Sequence, residues 1–106
     1  MLKDSINKVS FTEIDPEYTT MMAIRMTENK SKYGLFNWKN EIDPLLILDA
    51  LERHIVDIKS FLISGKPLLT EEPITDHLAS VGCNAMILNY QLKNNERINR
   101  ESKEFS

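Results

Sequence analysis

The chain has one cysteine, Cys83, so no disulfide forms within it. The opening stretch MLKDSINKVSF is also too polar for the hydrophobic segment of a secretory signal, and together these point to a reducing cytoplasm. Neither histidine lies at a spacing that would activate Cys83, which reads as a small buried hydrophobe. No apolar run approaches the roughly 20 residues that span a bilayer, which argues against a membrane partner. Positive charge is not in excess either: 13 Lys and Arg against 16 Asp and Glu leave a net charge of −3. Proteins that live on duplex nucleic acid draw most of their affinity from a basic footprint, so that partner is excluded as well. A local cluster of Lys and Arg still suffices to hold the phosphates of a small anion.

Repeats are absent, and the only stretch that reads as extended is Val9 to Thr12. What remains is helical. The 106 residues, with hydrophobic and charged fractions of 42% and 27%, suit one small globular domain that oligomerisation would stabilise further. Asp15-Pro16 and Asp43-Pro44 each fit an N-cap followed by proline in the first helical turn. The first helix is predicted over residues 16–31, with apolar Met21, Met22, Ile24 and Met26, and with Gly34 available to stop the chain. The second runs from Pro44 to Gly65, with Ile47, Leu51, Ile55, Ile58 and Leu62 at helical spacing. A third begins near Thr75 and places Leu78, Val81, Ala85, Leu88 and Leu92 on one stripe. Gly82 within it allows a close helix approach. From about Lys93 the periodicity is lost, as in a flexible tail or one ordered by a partner subunit. The expected architecture is all-α: a small antiparallel bundle of three main helices, assembled as a homo-oligomer.

Several constellations could carry chemistry. Asp49, Arg53 and Asp57 recur every fourth residue of the second helix, the pattern of a solvated salt-bridge row. Asp49 and Glu52, however, also form an i, i+3 carboxylate pair of the kind that holds Mg²⁺ against phosphates, with Glu72 as a candidate from a facing segment. His54 lies beside the apolar stripe, where a hydrogen-bonded core role competes with a ligand role. His77, Ser80 and Asn84 share one face of the third helix. A buried Asn84 needs partners, either in an internal network with His54 or in a ligand pocket.

The loop KYGLFNWKN, residues 32–40, concentrates aromatics and lysines. Lys32 and Lys39 offer ammonium groups to phosphates, while Tyr33 or Trp38 can stack on a base. The competing reading makes Trp38 a plug at one end of the bundle and Gly34 a simple turn.

Taken in order, FTEIDPEYTTMMA, KYGLFNWK, LDALERHIVDIKSFLISGK and DHLASVGCNAMIL resemble the helical domain at the N-terminus of dATP/dGTP diphosphohydrolases, common in bacteriophage genomes, and more distantly the MazG-like pyrophosphohydrolases. The resemblance covers residues 11–92. It implies a shared pocket lined or supported by Lys32, Tyr33, Gly34, Asn37, Trp38, Arg53, His54, His77 and Asn84. It also carries departures: Ser80 stands where a second histidine is usual, and Lys66 where an acidic residue is usual.

Two functions are therefore expected. The first is a phage-type protein in the host cytoplasm that binds a nucleotide or nucleotide-derived signalling molecule and sequesters it from host immune signalling, with no cofactor needed for binding. Lys32, Lys39 and Arg53 would then hold phosphates. The alternative is a Mg²⁺-dependent dATP/dGTP diphosphohydrolase, with Asp49, Glu52 and Glu72 as metal ligands and His54 or His77 assisting a water.

Overall fold

A computed structural model describes residues 8–94. Three long helices make up most of it: α1 (Pro16–Tyr33), α2 (Pro44–Ser64) and α3 (Ile74–Asn94). Both Asp-Pro pairs start helices as expected. The Asp15 carboxylate accepts the Glu17 N–H and the Asp43 carboxylate the Leu45 N–H, at 3.1 and 3.0 Å. Each proline stands where a backbone N–H would have no helical partner, so neither costs a hydrogen bond. Gly34 and Gly65 end α1 and α2 at φ +96° and +81°, a region a side chain disfavours. Their N–H groups return to Lys30 and Phe61 at 2.9 and 2.8 Å. The helix α1 thus runs two residues past the expected end.

Val9 to Thr12 is extended only in part: Ser10 has extended backbone angles, but the chain turns at Phe11. Phe11–Glu13 forms a short 3₁₀ turn closed by the Ile14 N–H on the Phe11 carbonyl. Among the described residues there is no strand to pair with it, and the Ser10 and Thr12 hydroxyls bond each other across the turn at 2.7 Å. The tail expected from about Lys93 falls on residues 95–106, outside those described, while Lys93 and Asn94 still belong to α3.

The third helix is the common partner, packing on both α1 and α2. Gly82 makes room for α1 side chains. A Cβ at that position would lie 2.6 Å from the Tyr18 hydroxyl and 2.8 Å from the Met22 sulfur. The space freed lets Tyr18 donate to the Leu78 carbonyl at 2.6 Å. Cys83, one residue on, is buried and donates to the Met22 carbonyl at 3.4 Å.

The apolar stripes read from the sequence are buried only in part. On α2, Ile47 and Leu51 are core, but Ile55 is half exposed and Leu62 is 76% exposed. On α3, Leu78, Ala85 and Leu92 are exposed, and the buried residues are His77, Ala79, Ser80, Cys83, Ile87 and Gln91. The reason is positional. A helix between two neighbours buries a broad face, and here that face is polar and small, with each polar group supplied with a partner. No buried side-chain nitrogen or oxygen among the described residues lacks a hydrogen bond. Among the described residues, no helix is long and apolar enough to cross a membrane.

Candidate functional site

Two sites lie along α3. Ser80 at one and Ile87 at the other are seven residues apart, about 10.5 Å at 1.5 Å of rise per residue.

The first is a buried polar cluster. Asp57 and His77 are each only 1% exposed. The Asp57 carboxylate accepts the backbone N–H groups of Leu68, Leu69 and Thr70 and the Thr70 hydroxyl. Burial would raise its pKa, but these four donors together outweigh it and hold the group below the ordinary carboxyl value. Asp57 is therefore an anionic clamp on the α2–α3 connection, not part of a solvated salt-bridge row. His77 Nε2 lies 3.1 Å from Thr70 Oγ1 and 3.3 Å from Asp57 Oδ2. The Thr70 hydroxyl spends its single proton on Asp57, so Nε2 must carry the hydrogen that both oxygens accept. Nδ1 on the other side of the His77 ring faces His54 Nδ1 at 2.9 Å, and the two nitrogens share a hydrogen. Burial, and next the neighbouring His77, push the His54 pKa below its ordinary value, with Glu72 opposing and Arg25 and Arg53 adding to the shift. Arg25 closes the cluster from α1. Its Nε and Nη2 donate to Ser80 Oγ at 3.0 and 2.8 Å, and Nη2 also reaches Glu72 Oε2 at 3.2 Å.

The second site is a cavity of about 440 Å³ beneath the 33–38 loop. Its walls are aromatic and aliphatic, from Tyr33, Phe36, Trp38, Met26 and Ile87, with Asn29, Lys30 and Asn37 as polar groups. Phe36 sits at φ +59°, a left-handed conformation unusual for an aromatic, just before the 3₁₀ turn Asn37–Lys39. One buried side chain holds this loop. Gln91 Nε2 donates to the Trp38 and Asn40 carbonyls at 2.9 and 2.7 Å, and its Oε1 accepts the Ile42 N–H at 3.0 Å. Trp38 also meets Tyr90 edge to face, centroids 5.1 Å apart.

The residues expected to share one pocket thus fall into two groups. Tyr33, Asn37 and Trp38 line the cavity. His54 and His77 form the imidazole pair. Asn84 donates to the Ser80 carbonyl at 2.9 Å instead of bonding His54. Lys39 lies over the Phe36 ring, 4.3 Å from its centroid, and Lys32 and Arg53 are exposed. Asp49 and Glu52 are also exposed. Among the described residues Glu72 groups for metal binding with His54 and His77, not with that carboxylate pair.

Sequence reasoning passed over Arg25, Thr70 and Gln91. Gln91 had a signal, since it extends the His77–Asn84 face by two further turns. Arg25 had a weaker one, as the single cation between Met22 and Met26.

A family model described as dATP/dGTP diphosphohydrolase, N-terminal, matches residues 1–101. No curated protein and no solved structure matches the chain.

Proposed function

The chain belongs to the dATP/dGTP diphosphohydrolase N-terminal family, and from that premise we propose that it binds a nucleotide or nucleotide-derived signalling molecule in the cavity under the 33–38 loop. As a phage-type protein in the host cytoplasm, it would sequester that molecule from host immune signalling. The observation that carries the reading is the cavity wall itself: Tyr33, Phe36 and Trp38 beside Asn29, Lys30 and Asn37. Aromatic faces stack on any base for about 1–3 kcal/mol each. The side-chain amides of Asn29 and Asn37 can read base edges, while Lys30, with Lys32 nearby, supplies charge for phosphate.

Calorimetry with a panel of linear and cyclic nucleotides, in Mg²⁺ and in EDTA, tests this. Saturable binding equal in both buffers supports capture, and no heat from any member of the panel ends the proposal. Trp38→Ala is expected to weaken the binding about 5- to 150-fold, the equivalent of one lost stacking contact. Unchanged affinity would make Trp38 a plug at the end of the bundle.

The family's name favours a second reading, hydrolysis of dATP or dGTP. Mg²⁺ asks for oxygen ligands, and the metal-capable group formed by the described residues contains two imidazoles. The residues that come together do not fit Mg²⁺. Product released from dATP or dGTP only when Mg²⁺ is present would establish hydrolysis. The double variant Asp49→Ala/Glu52→Ala should then be inactive, and an unchanged rate would remove that pair from the mechanism.

The same reading includes an antiparallel bundle that assembles into a homo-oligomer. Leu48, Leu51, Ile55, Ile58 and Leu62 on α2, and Leu78, Val81, Ala85, Leu88 and Leu92 on α3, follow the alternating three- and four-residue spacing of a helix seam. Leu48, Ile55, Leu62, Leu78 and Leu92 are all more than 40% exposed, so a second copy of the chain has an apolar face to cover. Sedimentation should show an oligomer that Ile55→Lys/Leu62→Lys dissociates; a monomeric parent chain would remove this part.

A further inference from the structure

We propose that His54, His77 and Glu72 form a binding site for a divalent transition-metal ion, held by two imidazole nitrogens and one carboxylate oxygen. The two rings meet through their Nδ1 atoms. His77 gives its Nε2 hydrogen to Asp57 and Thr70 and turns Nδ1 towards His54 Nδ1, 2.9 Å away; the hydrogen between these two nitrogens leaves to solvent as the ion takes its place. A histidine whose far nitrogen is hydrogen-bonded to a carboxylate is the usual arrangement behind a metal ligand, because that bond fixes the tautomer and makes the near nitrogen more basic. Here Asp57 is itself locked by the backbone of residues 68–70, so the ring has little freedom to turn.

The third ligand is within reach. One donor atom from each of His54, Glu72 and His77 lies within 4.8 Å of the others. Arg25 contacts Glu72 through Oε2, and a carboxylate has a second oxygen to offer. The donor set also selects the class of ion. Two imidazole nitrogens and one carboxylate oxygen suit Fe²⁺, Co²⁺, Ni²⁺ or Zn²⁺, with the remaining positions open to water or a ligand, and do not suit the oxygen-seeking Mg²⁺. Asp57 and Glu72 bring two negative charges to the cluster, against the guanidinium groups of Arg25 and Arg53. The site does not depend on what fills the aromatic cavity.

The test uses the untagged full chain, stripped of metal and titrated with Co²⁺ alone, followed by visible absorbance and by the thermal midpoint. One equivalent of Co²⁺ should bind with a saturable change in visible absorbance and raise the midpoint, while Mg²⁺ alone at the same concentration should do neither. His54→Ala, at a half-buried position, should abolish Co²⁺ uptake. Glu72→Gln, on the open side of the cluster, should weaken it about 10- to 100-fold. Absence of saturable Co²⁺ uptake by the parent chain overturns the proposal. So does uptake that is unchanged in Glu72→Gln and in a folded His54→Ala protein, since the ion would then be bound elsewhere.

Discussion

The two ends of α3 solve opposite problems. At the His77 end, polar groups are packed together and each finds a partner, so the arrangement is held by hydrogen bonds whose loss would be expensive. At the Ile87 end the helix walls an aromatic cavity, and the loop above it is tied down mainly by one amide, that of Gln91. The first end is held because its groups satisfy one another, while the second is open and the loop over it rests on Gln91 and on the Trp38–Tyr90 contact. A protein that must admit a ligand at one place and keep its helices in register at another gains from this separation. The polar end sets the helices, and the aromatic end is left free to adapt.

Breaking the polar end should have the largest effect. Asp57→Ala removes the acceptor for three backbone N–H groups and for Thr70, and the thermal midpoint is expected to fall further than for any other single substitution named here. Acid should act on the same end in two stages. His54 has a lowered folded pKa, so the folded state resists its protonation, and stability declines as pH falls below the ordinary value of 6.5. Asp57 also has a lowered folded pKa, so its contribution is complete above 3.8 and is lost as pH drops further. Urea midpoints measured from pH 8 to pH 3 should show both declines, with the upper one missing in His54→Ala. A flat profile between pH 7 and pH 5 would mean that His54 is not held neutral.

At the other end, Gln91→Leu leaves two carbonyls and one N–H of the 38–42 segment without their buried partner. The cost is expected to be about 2–3 kcal/mol, with ligand affinity lost at the same time because the cavity roof is released. If stability fell and affinity did not, the loop would hold its shape without Gln91. Between the two ends, Gly82→Ala drives a methyl group into Tyr18 and Met22. Overpacking of about 1–3 kcal/mol is offset by nearly 1 kcal/mol of helix propensity, for a net loss of about 1 kcal/mol. The smallest change is Lys39→Gln, which removes an exposed cation over the Phe36 ring and is expected to cost no more than about 0.5–1 kcal/mol. Chemical denaturation orders all of these on one scale.

Much of the helical framework was legible in the residues. Asp15-Pro16 and Asp43-Pro44 specify where α1 and α2 begin, because capping is local chemistry. Gly34 and Gly65 specify where they end, and Gly82 marked where α3 makes room for α1 side chains. The orientation of the faces was not legible. Periodicity finds an apolar stripe, but it does not say whether this chain or another surface covers it, and the stripe through Ile55 and Leu62 points outward. Asp57 was misread for a related reason. Its spacing from Arg53 matches a surface ion pair, whereas its burial depends on the connection at residues 68–70 folding back over α2, a long-range event with no local signature. In the candidate site, Tyr33, Asn37, Trp38, His54 and His77 stood out by residue type, but their division between two ends of one helix follows only from how α3 is placed.

Cys83 turns the α1 crossing into something that can be timed. Its sulfur lies beneath Met22, and burial raises the pKa of the thiol despite Arg25 nearby, so a thiol-reactive reagent meets neither an accessible nor an ionised sulfur while α1 is docked. Alkylation must wait for that helix to lift. The modification rate, divided by the rate for the same thiol in the unfolded chain, gives the free energy of this local opening, and a ligand that braces the 33–38 loop at the end of α1 should slow the clock.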